Sequence, residues 1–283
     1  MKNKKPSILI TGVNGFVGKH VYTKLLQEDY EVWSVYNNSS SNQKNSFKID
    51  LTKKSQLFKL KEKLPKKFII IHSAAVAHEK NDAKSTFLKN VKMTENIIDV
   101  LSEKIIKFIF LSSVSVYGED GNNRSIGIHQ VLRPYSEYGR SKRECEKLIM
   151  NSKIEKYLIC RLAPVFDNLN LTDIKKRVMF PGIGKFRLII KPNPEHSLLE
   201  VNNFCDIILK AIFEPSNSSK IRNVHDLKPY SQNELSKWFD GPKLILPEFI
   251  FSPIYWITFI LPQNKGHRLR CFYWKFFKSN VYE

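Results

Sequence analysis

Cysteine is scarce and scattered. The four in this 283-residue chain, Cys145, Cys160, Cys205 and Cys271, form no C-x-x-C pair and no metal-ligand spacing. A disulfide scaffold and a structural zinc site are therefore not expected, and no metal is assigned. There is no internal repeat, and no low-complexity tract beyond a Ser/Asn-rich loop at 37–46. The first apolar run, Ile8-Leu9-Ile10 before Gly12, is too short for a signal-peptide core, so a reducing cytoplasm is the expected setting. A basic tail is missing too. Residues 1–150 carry 26 Lys/Arg and 15 Asp/Glu and the rest carry 20 and 12, so the excess of +19 is spread as +11 and +8. Such a distribution argues against a nucleic-acid arm. It reads as solvated surface lysine, whose field also concentrates polyanions such as dinucleotides and sugar nucleotides.

What is present suffices for a real core. Apolar residues make up 42% of the chain, and the length suits one large domain or one domain with a smaller partner. Short β-branched runs alternate with helical patterns over the first 165 residues, the signature of a parallel sheet covered on both faces. Ser7–Thr11, Glu31–Tyr36, Ser46–Asp50, Phe68–His72, Phe108–Leu111 and Tyr157–Leu162 read as strands. Helices are expected at 16–27, 52–63, 83–101 and 134–151. After Pro164 the pattern loosens, with one clear helix near 204–213. The expected fold is therefore a Rossmann-type, doubly wound α/β domain over 1–164 followed by a smaller substrate-binding lid over 165–283.

Three features carry chemistry. Between the first strand and helix stands Thr11-Gly12-Val13-Asn14-Gly15-Phe16-Val17-Gly18. In such a turn Gly12 permits the sharp bend, Gly15 lets backbone approach a pyrophosphate and Gly18 lets helix pack on strand. The helix N-terminus then offers free N–H groups to phosphate. On a later helix, Tyr138 and Lys142 lie four residues apart and so share one face. An ammonium beside a phenol favours the phenolate, and the tyrosine could then exchange a proton with a sugar hydroxyl as hydride moves. Third, Ser112-Ser113-Val114-Ser115-Val116-Tyr117-Gly118 follows the buried strand 108–111, at the end where ligands sit in open parallel sheets. Each feature also has a purely structural reading, as a plain turn, a solvated helix pair or a strand-ending cap. Their order along the chain favours the functional one.

Together with Asp50-Leu51, His72-Ser73-Ala74-Ala75, Asn90-Val91 with Thr94, and Arg161-Leu162-Ala163-Pro164, these pieces resemble the extended short-chain dehydrogenase/reductase family, in its nucleotide-sugar epimerase, dehydratase and reductase branch. The resemblance runs from Ile8 to about Pro164. It implies that Ser113, Tyr138 and Lys142 are catalytic, with Lys142 also on the nicotinamide ribose. It further implies that Gly12, Asn14, Gly15, Phe16, Val17, Gly18, Asp50, Leu51, Ala74, Ala75 and Asn90 hold NAD or NADP. Arg161 and His196 become substrate-side candidates, the substrate a nucleotide-linked sugar for polysaccharide biosynthesis, and the assembly a homodimer.

Departures from the family pattern bear on the reaction. The second strand ends Ser34-Val35-Tyr36-Asn37-Asn38, with neither an acid for the adenosine ribose nor an arginine for a 2′-phosphate, so NAD and NADP stay open. Phe166-Asp167-Asn168 stands where Gly-Pro is usual, and Val201-Asn202-Asn203 where Val-x-Asp is usual. No acid flanks Ser113, which disfavours dehydration. The short lid and the missing ribose acid favour a 4-keto reductase slightly over a 4-epimerase. A non-catalytic NAD(P) sensor or scaffold is the reading from another class, although a pure binder has no use for a Ser/Tyr/Lys relay. Finally, residues 249–261 carry no charge, and Lys265, Arg268, Arg270, Lys275 and Lys278 follow with no acid before Glu283. That stretch is shorter than a spanning helix and contains Pro253. It suits packing on the lid or a second subunit, or an interfacial helix on anionic membrane.

Overall fold

A computed structural model describes residues 5–37, 44–77, 83–118, 125–179, 186–214 and 220–283. In chain order the elements are β1 (Ile8–Thr11), α1 (Phe16–Gln27), β2 (Val32–Tyr36), β3 (Ser46–Lys48), α2 (Lys54–Lys63), β4 (Phe68–His72), α3 (Ala83–Leu101), β5 (Ile105–Ser113), α4 (Glu137–Met150) and β6 (Tyr157–Leu162). There follow β7 (Val165–Phe166), α5 (Thr172–Val178), β8 (Arg187–Lys191), β9 (Glu195–His196), β10 (Leu199–Glu200), α6 (Val201–Phe213), β11 (Lys220–Val224), β12 (Tyr230–Ser231), α7 (Gln232–Ser236), β13 (Lys243–Pro247), α8 (Ser252–Ile260) and α9 (Gln263–Phe277).

Contacts divide the chain into two compact units that interleave in sequence. The first holds Met1–Gly118, Leu132–Leu162 and Val201–Val224; the second holds Glu119–Val131, Ala163–Glu200 and His225–Glu283. The segment 201–224, placed with the lid on sequence grounds, lies with the sheet because β11 pairs with β6 along Lys220–Val224.

The first unit is a seven-stranded parallel sheet in the order β11-β6-β5-β4-β1-β2-β3. All five residues of β4 are buried, as a strand covered on both faces requires. Leu9, Ile70, Phe108, Phe110 and Ile159 join Leu57, Leu60, Ile97, Val100 and Ile149 of α2, α3 and α4 in one core cluster. Ile8, Ile10, Ile69 and Ile71, also buried, alternate with them and so face the other side of the sheet. Helices α1 and α6 pack on each other. Truncating Phe68, Phe108 or Phe110, all fully buried, costs about 3–5 kcal/mol each.

The second unit builds from shorter pieces. β8 pairs with β13 in parallel, β9 with β12 antiparallel, and β7 with β10 in parallel. One cluster, Phe166, Ile174, Val178, Met179, Leu198 and Leu235, and another, Leu188, Ile190, Tyr273, Phe276 and Phe277, form its core. No helix of the described residues is long and apolar enough to cross a membrane.

Candidate active site

The glycine turn does three jobs. Gly12 adopts φ +75°, and a Cβ there would stand 2.6 Å from the Ala74 nitrogen, so the turn closes onto the strand-end residues Ser73 and Ala74. A Cβ on Gly18 would stand 2.2 Å from the Gly12 carbonyl oxygen, which fixes how closely α1 approaches the turn. Gly15 is the N-cap of α1, with no side chain capping the helix and no acid in the first turn. The amide end of that helix dipole is thus open to an anion.

This turn borders a cavity of about 620 Å³, lined by Gly12, Asn14, Gly15, Val35, Tyr36, Asn37, Ile49, Asp50, Leu51, Thr52, Ser73, Ala74, Ala75, Val76, Lys89 and Met93. Its volume suits a dinucleotide-sized ligand. A phosphate-ready helix end meets a Tyr36/Asn37 rim and an Asp50/Leu51 wall, so the residues present fit a dinucleotide. Of the cofactor candidates, Gly12, Asn14, Gly15, Asp50, Leu51, Ala74 and Ala75 reach the cavity wall; Phe16, Val17, Gly18, Asn90, Tyr138 and Lys142 do not, nor does Ser113. Asp50 also ends its own turn: its Oδ1 accepts from the Thr52 amide and hydroxyl at 3.0 and 2.6 Å.

Asn90 joins the cavity to the Tyr/Lys helix. Its Oδ1 accepts from the Val76 amide at 2.8 Å, while its Nδ2 donates to the Val76 carbonyl and to Ser141 Oγ, each at 3.0 Å. Val76 lines the cavity, and Ser141 precedes Lys142. Helix α4 starts where Ser136 caps Gly139 N at 3.1 Å. Gly139 lies against the Ser115 carbonyl so closely that a Cβ would come within 2.7 Å. The residue after Tyr138 thus touches the turn that carries Ser113. Ser113 Oγ accepts from both the amide and hydroxyl of Ser115, at 3.2 and 3.0 Å. Its acceptor positions are occupied, so its own proton is the one to offer to a substrate oxygen.

Lys142 is buried. Its Nζ donates to the Leu111 carbonyl at 2.6 Å and stands 4.7 Å over the Phe110 ring and 5.7 Å over the Tyr138 ring. Burial pulls the ammonium down to about 8, opposed by the negative potential of Cys145 and Glu146. Tyr138, half-buried, moves the other way. Desolvation, with a smaller push from Cys145, raises its hydroxyl to about 12, where the spacing of the pair suggested a lowered value. In the protein alone, loss of water around the ring sets the direction.

Under this site runs a chain that spacing did not disclose. His72, fully buried at the end of β4, meets Thr11 Oγ1 at 2.7 Å through Nδ1 and Thr94 Oγ1 at 3.1 Å through Nε2. Thr94 in turn donates to Cys145 Sγ at 3.1 Å. Burial first, and then Lys142, pull the imidazole down to about 3, so it is neutral. A second set surrounds Glu146, one turn beyond Lys142. Arg161 grips its carboxylate through Nε and Nη2 at 3.1 and 2.8 Å and donates to Tyr117 Oη at 3.0 Å; Ser112 also donates to it. The structure thus commits Arg161 to Glu146 and does not bring it to the cavity wall. His196 belongs to the second unit, fully buried on β9, with Arg177 Nη1 3.4 Å from its Nδ1. Glu146 had a signal, the second step of four in the series Tyr138, Lys142, Glu146. His72 had none beyond its place in the His-Ser-Ala-Ala run.

The model of the NAD-dependent epimerase/dehydratase family matches residues 8–188. A Methanocaldococcus jannaschii protein is 32% identical over 155 residues, 50% of this chain and 49% of that protein. The UDP-glucose 4-epimerase uge1 of Schizosaccharomyces pombe is 28% identical over 181 residues, covering 57% of this chain and 51% of that one. The chain spans about half the length, or less, of the curated relatives it matches. Among solved structures, an NAD-bound short-chain dehydrogenase/reductase superfamily protein from Agrobacterium tumefaciens superposes with a TM-score of 0.71 at 19% identity, over 85% of this chain and 86% of that one. The UDP-Glc/GlcNAc 4-epimerase of Campylobacter jejuni gives 0.69 at 22%, over 86% and 87%. These likenesses show the fold.

Proposed function

The chain belongs to the NAD-dependent epimerase/dehydratase family, and from that premise we propose that it exchanges hydride with a ring carbon of a nucleotide-linked sugar, with Tyr138 as the acid/base. The observation that carries this reading is the tie from the cavity wall through Val76 and Asn90 to Ser141, between Tyr138 and Lys142. NAD, when bound, would supply the hydride acceptor and, when oxidised, a positive charge. Gly12, Asn14 and Gly15 hold its pyrophosphate at the α1 N-terminus, and Asp50 and Leu51 meet the adenine. Ala74 and Ala75 would line the path from pyrophosphate to nicotinamide.

Tyr138 rests protonated, with its hydroxyl held near 12. It therefore holds the proton that a sugar carbonyl oxygen takes up as the carbon bonded to it receives hydride. To act as base it draws on the Lys142 charge and the cationic cofactor, because each lowers the energy of the phenolate. Ser113 donates its free proton to the same sugar oxygen, and Lys142 keeps the Tyr138 ring and the cofactor ribose in register. Arg161 is proposed to act behind the site, through its hold on Glu146 and Tyr117; His196, fully buried on β9, has no surface to offer a substrate.

Epimerisation is the first reading, supported by relatives named as UDP-glucose 4-epimerases. A 4-keto reductase is the second, favoured by the described end of β2. Tyr36 and Asn37 there supply no carboxylate for the adenosine ribose, and a loosely held cofactor suits an enzyme that must exchange it after each turnover. The homodimer belongs to this reading and is checked by sedimentation. Nicotinamide fluorescence, followed with and without keto-sugar nucleotides, separates the possibilities. Net NADH consumption identifies a reductase, and sugar interconversion without consumption identifies an epimerase. Binding with neither outcome overturns the catalytic reading in favour of a sensor.

A further inference from the structure

The second unit carries an apolar face that its own packing leaves uncovered. Nine of the 22 large apolar side chains exposed among the described residues fall between Leu244 and Leu269, so the surface is concentrated in one segment and not scattered as on an ordinary monomer. Helix α8 is divided along its length. Tyr255 packs against Tyr273 and Trp274 of α9 with centroids 5.1 and 5.7 Å apart, Thr258 is fully buried, and Gly266 of α9 lies against the Thr258 carbonyl. Away from that packing stand Trp256 (67% exposed), Ile257 and Ile260 (85%), and Phe259 (57%), against Tyr255 on one side, joins them at the rim. Phe249 and Ile250, exposed in the turn before it, extend the same segment. An exposed helix edge of this composition is the reverse of the usual polar outer face.

Charge decides what covers it. From Phe249 to Tyr282 there is no acidic residue, while Lys265, Arg268, Arg270 and Lys275 are basic and Lys278 pairs with Glu248, the acid just before the stretch. Arg270 sets its guanidinium 4.9 Å over the Phe259 ring and donates to the Thr258 carbonyl at 3.0 Å, so a fixed cation stands at the rim of the apolar edge. A second copy of the chain, meeting this face about a two-fold axis, would bring the same cations against each other with no carboxylate in the segment to receive them. An anionic bilayer supplies both missing partners, acyl chains for the ring edges and phosphates for the bases. Because α8 has nine residues and no described helix can cross a membrane, the helix would lie in the plane of the interface.

We propose that the α8–α9 hairpin docks this protein peripherally on anionic lipid, with Trp256, Phe259 and Ile260 entering the acyl boundary and Arg270 and Lys275 at the headgroups. The test uses the full chain and vesicles of phosphatidylcholine, alone or mixed with phosphatidylglycerol. Expected is co-sedimentation with the phosphatidylglycerol vesicles that weakens with salt, and quenching of tryptophan by brominated lipid that largely disappears in W256F. Exposed positions tolerate polar residues, so W256S/F259S/I260S should keep its circular dichroism and melting temperature while its partition falls by at least about tenfold. K275Q should weaken binding by on the order of fivefold. No binding, equal binding to neutral vesicles, or undiminished binding by the triple variant overturns the proposal. So does a triple variant that loses only self-association, which would make the face a contact between copies.

Discussion

Two buried arginines show how differently the two units handle charge. In the sheet unit, Arg161 lies in a bidentate pair with Glu146, and Ser112 and Tyr117 complete the set at hydrogen-bond distance. In the other, Arg177 faces His196, a group that cannot neutralise it, and Arg177 Nε and His196 Nε2 are buried without a hydrogen-bond partner. The same contrast holds for apolar groups. The sheet unit buries both faces of β4, whereas the α8 edge turns its rings outward. Satisfied networks lock side chains in place, and the first unit has them where the proposed chemistry needs rigid geometry. The second keeps groups and surfaces that its own core does not absorb.

The largest effect that would break this contrast is kinetic. Y138F should lower turnover by about 10²–10⁴ while leaving nucleotide affinity and melting temperature near the parent values. Loss of affinity of the same size would place Tyr138 in binding only. Next is stability. R161M strands a buried carboxylate and should cost about 3–5 kcal/mol by denaturant titration. R177M removes a charge that lacks a carboxylate and should cost about 1 kcal/mol or less; similar losses would erase the distinction. Acid comes third. His72 is neutral when folded, with its pKa near 3, but titrates near 6.5 when unfolded. Its contribution is complete above that value and is lost as pH falls toward 3, at up to about 1.4 kcal/mol per pH unit. H72N should flatten the acid limb of the stability profile relative to the parent. Smallest is W256S/F259S/I260S, expected to shift folding stability by within about 0.5 kcal/mol, as exposed substitutions do.

Elements whose information is local were legible in the chain itself. Phe68–His72 and Tyr157–Leu162 coincide with the runs expected as strands, and Ala83–Leu101 with the expected helix, because consecutive apolar residues and 3.6-residue periodicity arise within each segment. The glycine turn was legible for the same reason. β5 begins at Ile105, three residues before its most apolar stretch, since Lys107 is drawn in by the Ala211 carbonyl, a contact 104 residues away in the chain. β11 escaped notice: Lys220-Ile-Arg-Asn-Val is an edge strand, and only pairing with β6 makes it one. The two-residue strands of the second unit likewise owe their existence to partners. In the site, Tyr138 and Lys142 could be read from spacing, but Glu146 on a Lys-rich helix looks solvated until Arg161 arrives from β6. The raised Tyr138 hydroxyl could not be foreseen, because burial depends on neighbours that spacing does not reveal.

Hydride transfer itself offers the most direct test. The full chain, loaded with NAD and mixed rapidly with UDP-glucose carrying deuterium at the reacting ring carbon, is followed by nicotinamide absorbance and by analysis of the sugar. Transient reduced nicotinamide, formed more slowly than with the protium sugar and absent in Y138F, is the expected result. Bound NAD that stays oxidised, with sugar nucleotides and their keto forms recovered unchanged, would contradict it.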